Sequence, residues 1–205
     1  MKLIGLFDSP YVRRVAVSMR LQGFAFEHVA LSVFRHIDEM RKINPLVKVP
    51  MLVLDNGEQL IESSFILDYL DGEVAPERRL IPASGAARRR IQQQCAIALI
   101  AAEKAVQAYY DTQLRPAEFT YQPWVERCVG QMHDAFALIE AQPEPALLAV
   151  LSGAAITQAD ITGAVALRFA RYVHPAQFPA DRYPRLEQLS SYCEALPAFL
   201  ETPLE

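Results

Sequence analysis

Cysteine is scarce in this 205-residue chain: Cys95, Cys128 and Cys193 are the three present. They are widely spaced and odd in number, a pattern that excludes a disulfide framework and lacks the paired rhythm of a zinc site. A reducing, cytoplasmic setting is expected. No apolar run approaches the length of a membrane span, and the apolar stretch in the opening MKLIGLFDSP is too short for a signal-peptide core. Positive charge is not in excess either. Twenty Lys and Arg against 24 Asp and Glu leave a net charge of -4, which argues against nonspecific binding to nucleic acid or to an acidic membrane. The run Arg88 to Arg90 is too small a signal to reverse that, and reads as a solvated helix start or a subunit contact.

Phosphate and metal chemistry are missing from the pattern as well. FDSPYVR, residues 7–13, follows the first apolar segment without the glycines of a dinucleotide or nucleoside triphosphate loop. His28, His36, His133 and His174 are dispersed without ligand spacing, and the acidic residues form no calcium loop, so no metal is expected. Ser9 has no glycine elbow around it, so a Ser, His and Asp set is not visible.

What is present is an ordinary globular composition, 52% hydrophobic and 21% charged. A chain of this length buries roughly 70% of the surface its unfolded form exposes, enough for one large domain or two small ones. Residues 2–7 (KLIGLF) read as a strand, and SPYVRRVAVSMRLQG follows as a helix with Val12, Val15, Ala16 and Met19 on one face and Gly23 as its stop. Residues 26–31 have strand composition, and residues 35–43 are helical in pattern, closed by Asn44 and Pro45. Strand, helix, strand is the signature of a crossover with a parallel pair. Asn56 and Gly57 then suit a two-residue type I′ turn joining MLVL to EQLI, and SSFILDYLDG follows as a helix with Phe65, Ile66, Tyr69 and Leu70 sharing a face.

The expected fold class is therefore α/β plus all-α. A βαβ then ββα domain over residues 1–75 is followed by a Pro- and Gly-bearing linker at 76–87 and an all-helical domain at 88–205. Helices are expected at 88–114, 122–142, 157–173 and 185–196. In AITQADI, Thr157 is placed to cap a helix and Asp160 to return a carboxylate to the cap residue's amide, with Ile156 and Ile161 as a hydrophobic staple.

Three places invite more than a structural reading. Ser9 before Pro10 fits an N-cap and first helical position, yet a helix start after the first strand of a parallel pair is also where small anions are held, and a hydroxyl there could donate to a thiolate. In NPLVKVP, Pro50 is either a plain edge position or a cis-proline that turns the backbone of Val49 outward to pair with a peptide-like ligand. In IESSF, Ser63 or Ser64 caps a helix, while the helix amides and a hydroxyl could hold a carboxylate and Glu62 an ammonium, together suiting an amino acid headgroup.

In order and spacing, LFDSPYVRRVAV, NPLVKVPMLVLDNGEQLIESSFILDYL and ITQADITGAVAL resemble the glutathione transferase family, specifically its bacterial serine-type members. The resemblance implies a thioredoxin-like first domain and a helical bundle second. It implies that Ser9 is catalytic, donating to the glutathione thiolate without acting as a nucleophile. It further implies that Pro50 is the cis-proline, that Val49 pairs through its backbone with the cysteinyl part of glutathione, and that Ser63 and Glu62 receive the γ-glutamyl carboxylate and ammonium. Lys48 adds a contact to the glycyl end or is a plain surface lysine. Glutathione is the implied cosubstrate, with no metal, and a homodimer is the implied assembly.

An acceptor site for the electrophile is expected between the domains, with Phe7, Pro10, Tyr11, Tyr109 and Tyr110 as candidates, one tyrosine of the last pair facing it. The serine-type maleylacetoacetate isomerase branch, which places cysteine three positions after the serine and then arginine, is not matched: Val12 and Val15 stand in that stretch. The thiol-transferring branches, with cysteine at the active position, are not matched by Ser9. The activity implied is conjugation of glutathione to a small hydrophobic electrophile, with glutathione peroxidase activity as a subsidiary. The alternative is a noncatalytic binding or regulatory protein of the same fold.

Overall fold

The computed structural model describes residues 1–142, 149–179 and 181–204. The expected 88–205 domain thus includes positions 143–148, 180 and 205 that lie outside the described residues. The chain divides into two compact units, Met1–Ala83 with Pro197–Glu205, and Ser84–Leu196.

In the first unit β1 (Lys2–Ile4), α1 (Pro10–Leu21) and β2 (Glu27–Val29) form the parallel crossover. After α2 (Ile37–Ile43), β3 (Met51–Val53) runs antiparallel to β1, and β4 (Gln59–Ile61) antiparallel to β3, giving the sheet order β2-β1-β3-β4 before α3 (Ser63–Gly72). This is the thioredoxin-like βαβ and ββα arrangement. The strands are shorter than their apolar runs. β1 stops at Ile4 because Gly5, at φ 128, turns the chain out of the ladder.

The apolar periodicity explains the packing. Val12, Val15, Ala16 and Met19 of α1 are fully buried against Leu3 and Leu52 of the sheet and Ile66, Leu67 and Leu70 of α3. Each of the larger side chains, the alanine aside, contributes about 1.5–3 kcal/mol of burial. The other face of the sheet sends Ile4 and Met51 against Met40 of α2.

Two local expectations change. Phe65 is 74% exposed rather than on the buried face of α3, because Leu67 takes the inward position beside Ile66 and Leu70. The β3–β4 turn is not type I′. Gly57 alone adopts positive φ, its amide donates to Leu54 O, and Leu54 N donates to Glu58 O. Asn56 keeps an ordinary backbone and uses its side-chain oxygen to accept from Glu58 N, so the loop is a three-residue turn ending in a left-handed glycine.

The second unit is helical throughout its described residues: α4 (Gly85–Tyr109), α5 (Gln122–Glu140), α6 (Gln158–Val173) and α7 (Pro184–Glu194). A π-helical turn, Tyr110–Leu114, ends the long helix that the sequence reads as continuous to 114. Ala98, Ala101, Ala102, Ala105 and Ala108 form a buried stripe on α4, and side chains that small let α5 and α6 pack closely against it.

The last helix, α8 (Pro197–Leu200), leaves the domain the sequence assigned it to and groups with the first unit. The reason lies in α1: Arg13, 1% exposed, donates through Nε to Thr202 O at 2.7 Å and lies over the Phe199 ring at 5.5 Å. Arg20 pairs with Glu201 at the surface. Among the described residues no helix is long and apolar enough to cross a membrane.

Candidate functional site

Strand register brings the three singled-out stretches to one end of the sheet. Ile4, the last residue of β1, pairs with Met51, the first of β3, and Met51 pairs with Ile61, the last of β4. The segment leading from β1 to Ser9, the Lys48 to Pro50 segment entering β3, and Glu62 with Ser63 leaving β4 therefore share that edge. Gly5 marks how closely the first two approach: a Cβ there would fall 2.6 Å from Val12 Cγ2 and 2.9 Å from Val49 Cβ, and its φ of 128 is itself unfavourable to a side chain.

Ser9 is the N-cap of α1, with Pro10 at the first helical position. Its Oγ accepts from Val12 N at 3.4 Å, which is long for such a bond. The hydroxyl is thus only loosely engaged as an acceptor, and its proton is not used by that bond. The Val49–Pro50 peptide bond is cis. Asn44, buried, holds the loop before it: its Nδ2 donates to Lys48 O at 2.9 Å and its Oδ1 accepts from Leu46 N at 3.0 Å. Val47 sits within that loop at φ 50. Lys48 is exposed, Val49 half-buried and Pro50 buried.

At the start of α3 neither serine is the cap. Glu62 takes that position at φ 70, where a glutamate is strained, and its Oε2 accepts from Ser64 N at 3.2 Å. Ser63 becomes the first helical residue, 1% exposed, donating from Oγ to Glu62 Oε1 at 3.5 Å while Arg14 Nη1 donates to the same Oγ at 3.5 Å. Arg14 is itself 2% exposed, so a buried guanidinium stands behind the α3 start. The sequence reading missed Asn44, taken as a helix stop, and Arg14. The signal available for the latter was an arginine pair inside an otherwise apolar helix.

The acceptor candidates divide by burial. Phe7 is turned into the core of the first unit beside Leu3 and Val12, against the expectation that it lines a pocket, and Pro10 is buried too. Tyr11 is half-buried. In the second unit Tyr109 is half-buried and Tyr110 exposed, their rings 6.4 Å apart. Thr157 caps α6, its amide and hydroxyl both donating to Asp160 Oδ2, at 2.8 and 2.7 Å. Burial pushes the Asp160 carboxyl above its ordinary pKa, although the Thr157 bonds act in the opposite direction. Among the described residues no three His, Cys, Asp or Glu side chains converge as a metal site.

A thioredoxin-like sheet followed by a helical unit is the architecture of the glutathione transferase fold. The glutathione S-transferase N-terminal domain profile matches residues 3–78 and the C-terminal domain profile residues 122–189. A glutathione transferase family member from Pseudomonas fluorescens, solved with bound glutathione, is similar over 100% of this chain and 98% of its own, with a TM-score of 0.87 and 30% identity. The chain belongs to the glutathione S-transferase family.

Among curated proteins, the uncharacterized GST-like protein YibF of Escherichia coli is 34% identical over 71 residues, 35% of each chain. That match thus spans about a third of the relative's length. A zeta class glutathione S-transferase of Euphorbia esula is 32% identical over 149 residues, 68% of this chain and 62% of that one.

Proposed function

We propose that the protein conjugates glutathione to a small hydrophobic electrophile. The observation that carries this is the sharing of one sheet edge by a loosely engaged Ser9 hydroxyl, the Val49 backbone and the α3 start. In this reading the Ser9 hydroxyl donates to the glutathione sulfur. Favouring thiolate over thiol by about 3–4 kcal/mol would bring an ordinary thiol into the neutral range. The thiolate attacks the electrophilic carbon, forming the C–S bond, and an aromatic substrate expels its halide. Ser9 keeps its own proton and forms no covalent intermediate.

Val49 pairs through its backbone with the cysteinyl part of glutathione. Ser63 takes the γ-glutamyl carboxylate, with the Arg14 charge behind it, and Glu62 lies near the ammonium. Ser63 is covered, so the Glu62 side chain moves aside when the carboxylate arrives. Lys48, exposed at the same edge, meets the glycyl carboxylate. Tyr11 is the acceptor-side candidate of the first unit, Tyr109 and Tyr110 those of the second. The same thiolate attacking an organic hydroperoxide would release the alcohol and leave a sulfenic acid, which a second glutathione converts to disulfide and water. The reading includes a homodimer and a reducing cytoplasmic setting; three buried cysteines, none in a disulfide, fit the latter.

The test is calorimetric titration with glutathione, joined to a thiolate absorbance scan against pH for wild type and Ser9→Ala. Saturable binding with a depressed thiol pKa that rises in Ser9→Ala supports the reading. Absence of binding moves it to a noncatalytic binding protein of the same fold.

A further inference from the structure

His28 is used by nothing described so far. It sits in the middle of β2, opposite Leu3 in the parallel pair, and its ring extends beyond the end of β1. There its Nε2 lies 2.7 Å from Gly5 O, and its imidazole lies flat on the Phe7 ring, centroids 3.8 Å apart and planes 7° from parallel. A carbonyl oxygen only accepts, so Nε2 carries the proton and donates. One side chain therefore grips two residues of the short segment that separates β1 from Ser9.

The backbone of that segment is otherwise held at its two ends, where Gly5 N donates to Val29 O at 3.1 Å and Ser9 N to Leu6 O at 3.2 Å. Gly5 has no side chain and sits in a region of φ open to glycine. The direction of its carbonyl, and hence the exit of the chain toward Ser9, is set by what that carbonyl bonds. Phe7 packs into the core of the first unit, and His28 covers one face of its ring.

We propose that His28 is a positioning residue for Ser9, fixing the path of residues 5–9 through its bond to Gly5 O and its stack on Phe7. The consequence for chemistry rests on the reading that the Ser9 hydroxyl serves a glutathione thiolate, and a displacement of about 1 Å at such a donor is enough to cost orders of magnitude in rate.

Three variants separate the two grips: His28→Phe keeps a ring on Phe7 and loses the donor, His28→Gln keeps a donor and loses the stack, and His28→Ala loses both. In His28→Ala, kcat with 1-chloro-2,4-dinitrobenzene should fall about tenfold or more while the Kd of S-methylglutathione, which has no thiol to ionise, stays within about twofold. The thiol pKa of bound glutathione should rise, and amide hydrogen exchange over residues 6–9 should accelerate. The Phe and Gln variants should each recover part of every readout. A lower melting temperature with unchanged kcat, thiolate titration and exchange at 6–9 would overturn the proposal, as would full retention of all three in the Phe and Gln variants together with an Ala variant that only misfolds. If the wild type forms no thiolate, the proposed function fails, and the exchange measurement alone decides the positioning role: acceleration upholds it and no change overturns it.

Discussion

Helices α1 and α6 each begin with a hydroxyl residue in the cap position, and they use it differently. At α6 the Thr157 hydroxyl and amide both reach one Asp160 oxygen, at 2.7 and 2.8 Å, inside a buried setting. At α1 the Ser9 oxygen meets one amide at 3.4 Å, and the first turn of the helix carries no acidic residue to answer it. The first start is saturated and its chemistry is spent on folding. The second is loosely filled, its one long bond making no use of the hydroxyl proton. The lesson is that the same sequence signature, Ser or Thr before a helix, gives a tight or a loose cap according to what the third residue of the helix offers in return.

The comparison can be broken most sharply at Ser9. Ser9→Ala should lower kcat about a hundredfold, the scale of losing one hydrogen-bond donor to a developing or stabilised anion, while costing under about 1 kcal/mol of stability. Equal losses of melting temperature and activity would make α1 a second scaffold cap. At α6 the pattern should invert. Asp160→Ala should cost about 2 kcal/mol in denaturant unfolding, because two donors lose their acceptor, with kcat per folded molecule unchanged.

A smaller effect is expected at the α3 start. Ser63→Ala should weaken glutathione binding about fivefold to tenfold by titration calorimetry, with kcat at saturation little altered. An unchanged dissociation constant would remove Ser63 from the carboxylate subsite.

The smallest sharpens the contrast between units by pH. Burial, with the Arg182 charge second, holds the His133 imidazole below its ordinary pKa of 6.5. The unfolded chain therefore binds that proton more readily. The stability that follows from the neutral ring is present above about pH 6.5 and declines as pH falls through the folded-state value. His133→Asn should flatten the slope of melting temperature between pH 7.5 and 5.5. A slope identical to wild type would show that other groups set it.

Much of this was legible because it is local. The Val12, Val15, Ala16 and Met19 spacing fixes the buried face of α1, and the apolar strands with a turn between them give the sheet its hairpin. The Thr157 and Asp160 pair is three residues apart and needs no tertiary information. The type of the 54–58 turn was not legible, because Asn56 uses its side chain where the expectation used its backbone. Glu62 replaced the serines as the α3 cap for a similar reason: a glutamate at φ 70 is permitted only by its surroundings. Asn44 looked like punctuation, and only its bonds to Lys48 and Leu46 reveal that it shapes the loop entering the site. The bond from Arg13 to Thr202 spans 189 positions, a distance over which no pattern in a single sequence speaks.

That last contact bears on the order of events during synthesis. The first unit holds the candidate catalytic serine, yet Arg13 of its central helix is sealed by Thr202 and Phe199. On the ribosome, residues 1–83 emerge early with a buried-type arginine still uncovered, and the helical unit is made before its cover arrives. Completion of the earlier-made unit therefore waits for residues 197–204, so a nascent chain would finish its first unit only after the whole helical unit has been synthesised.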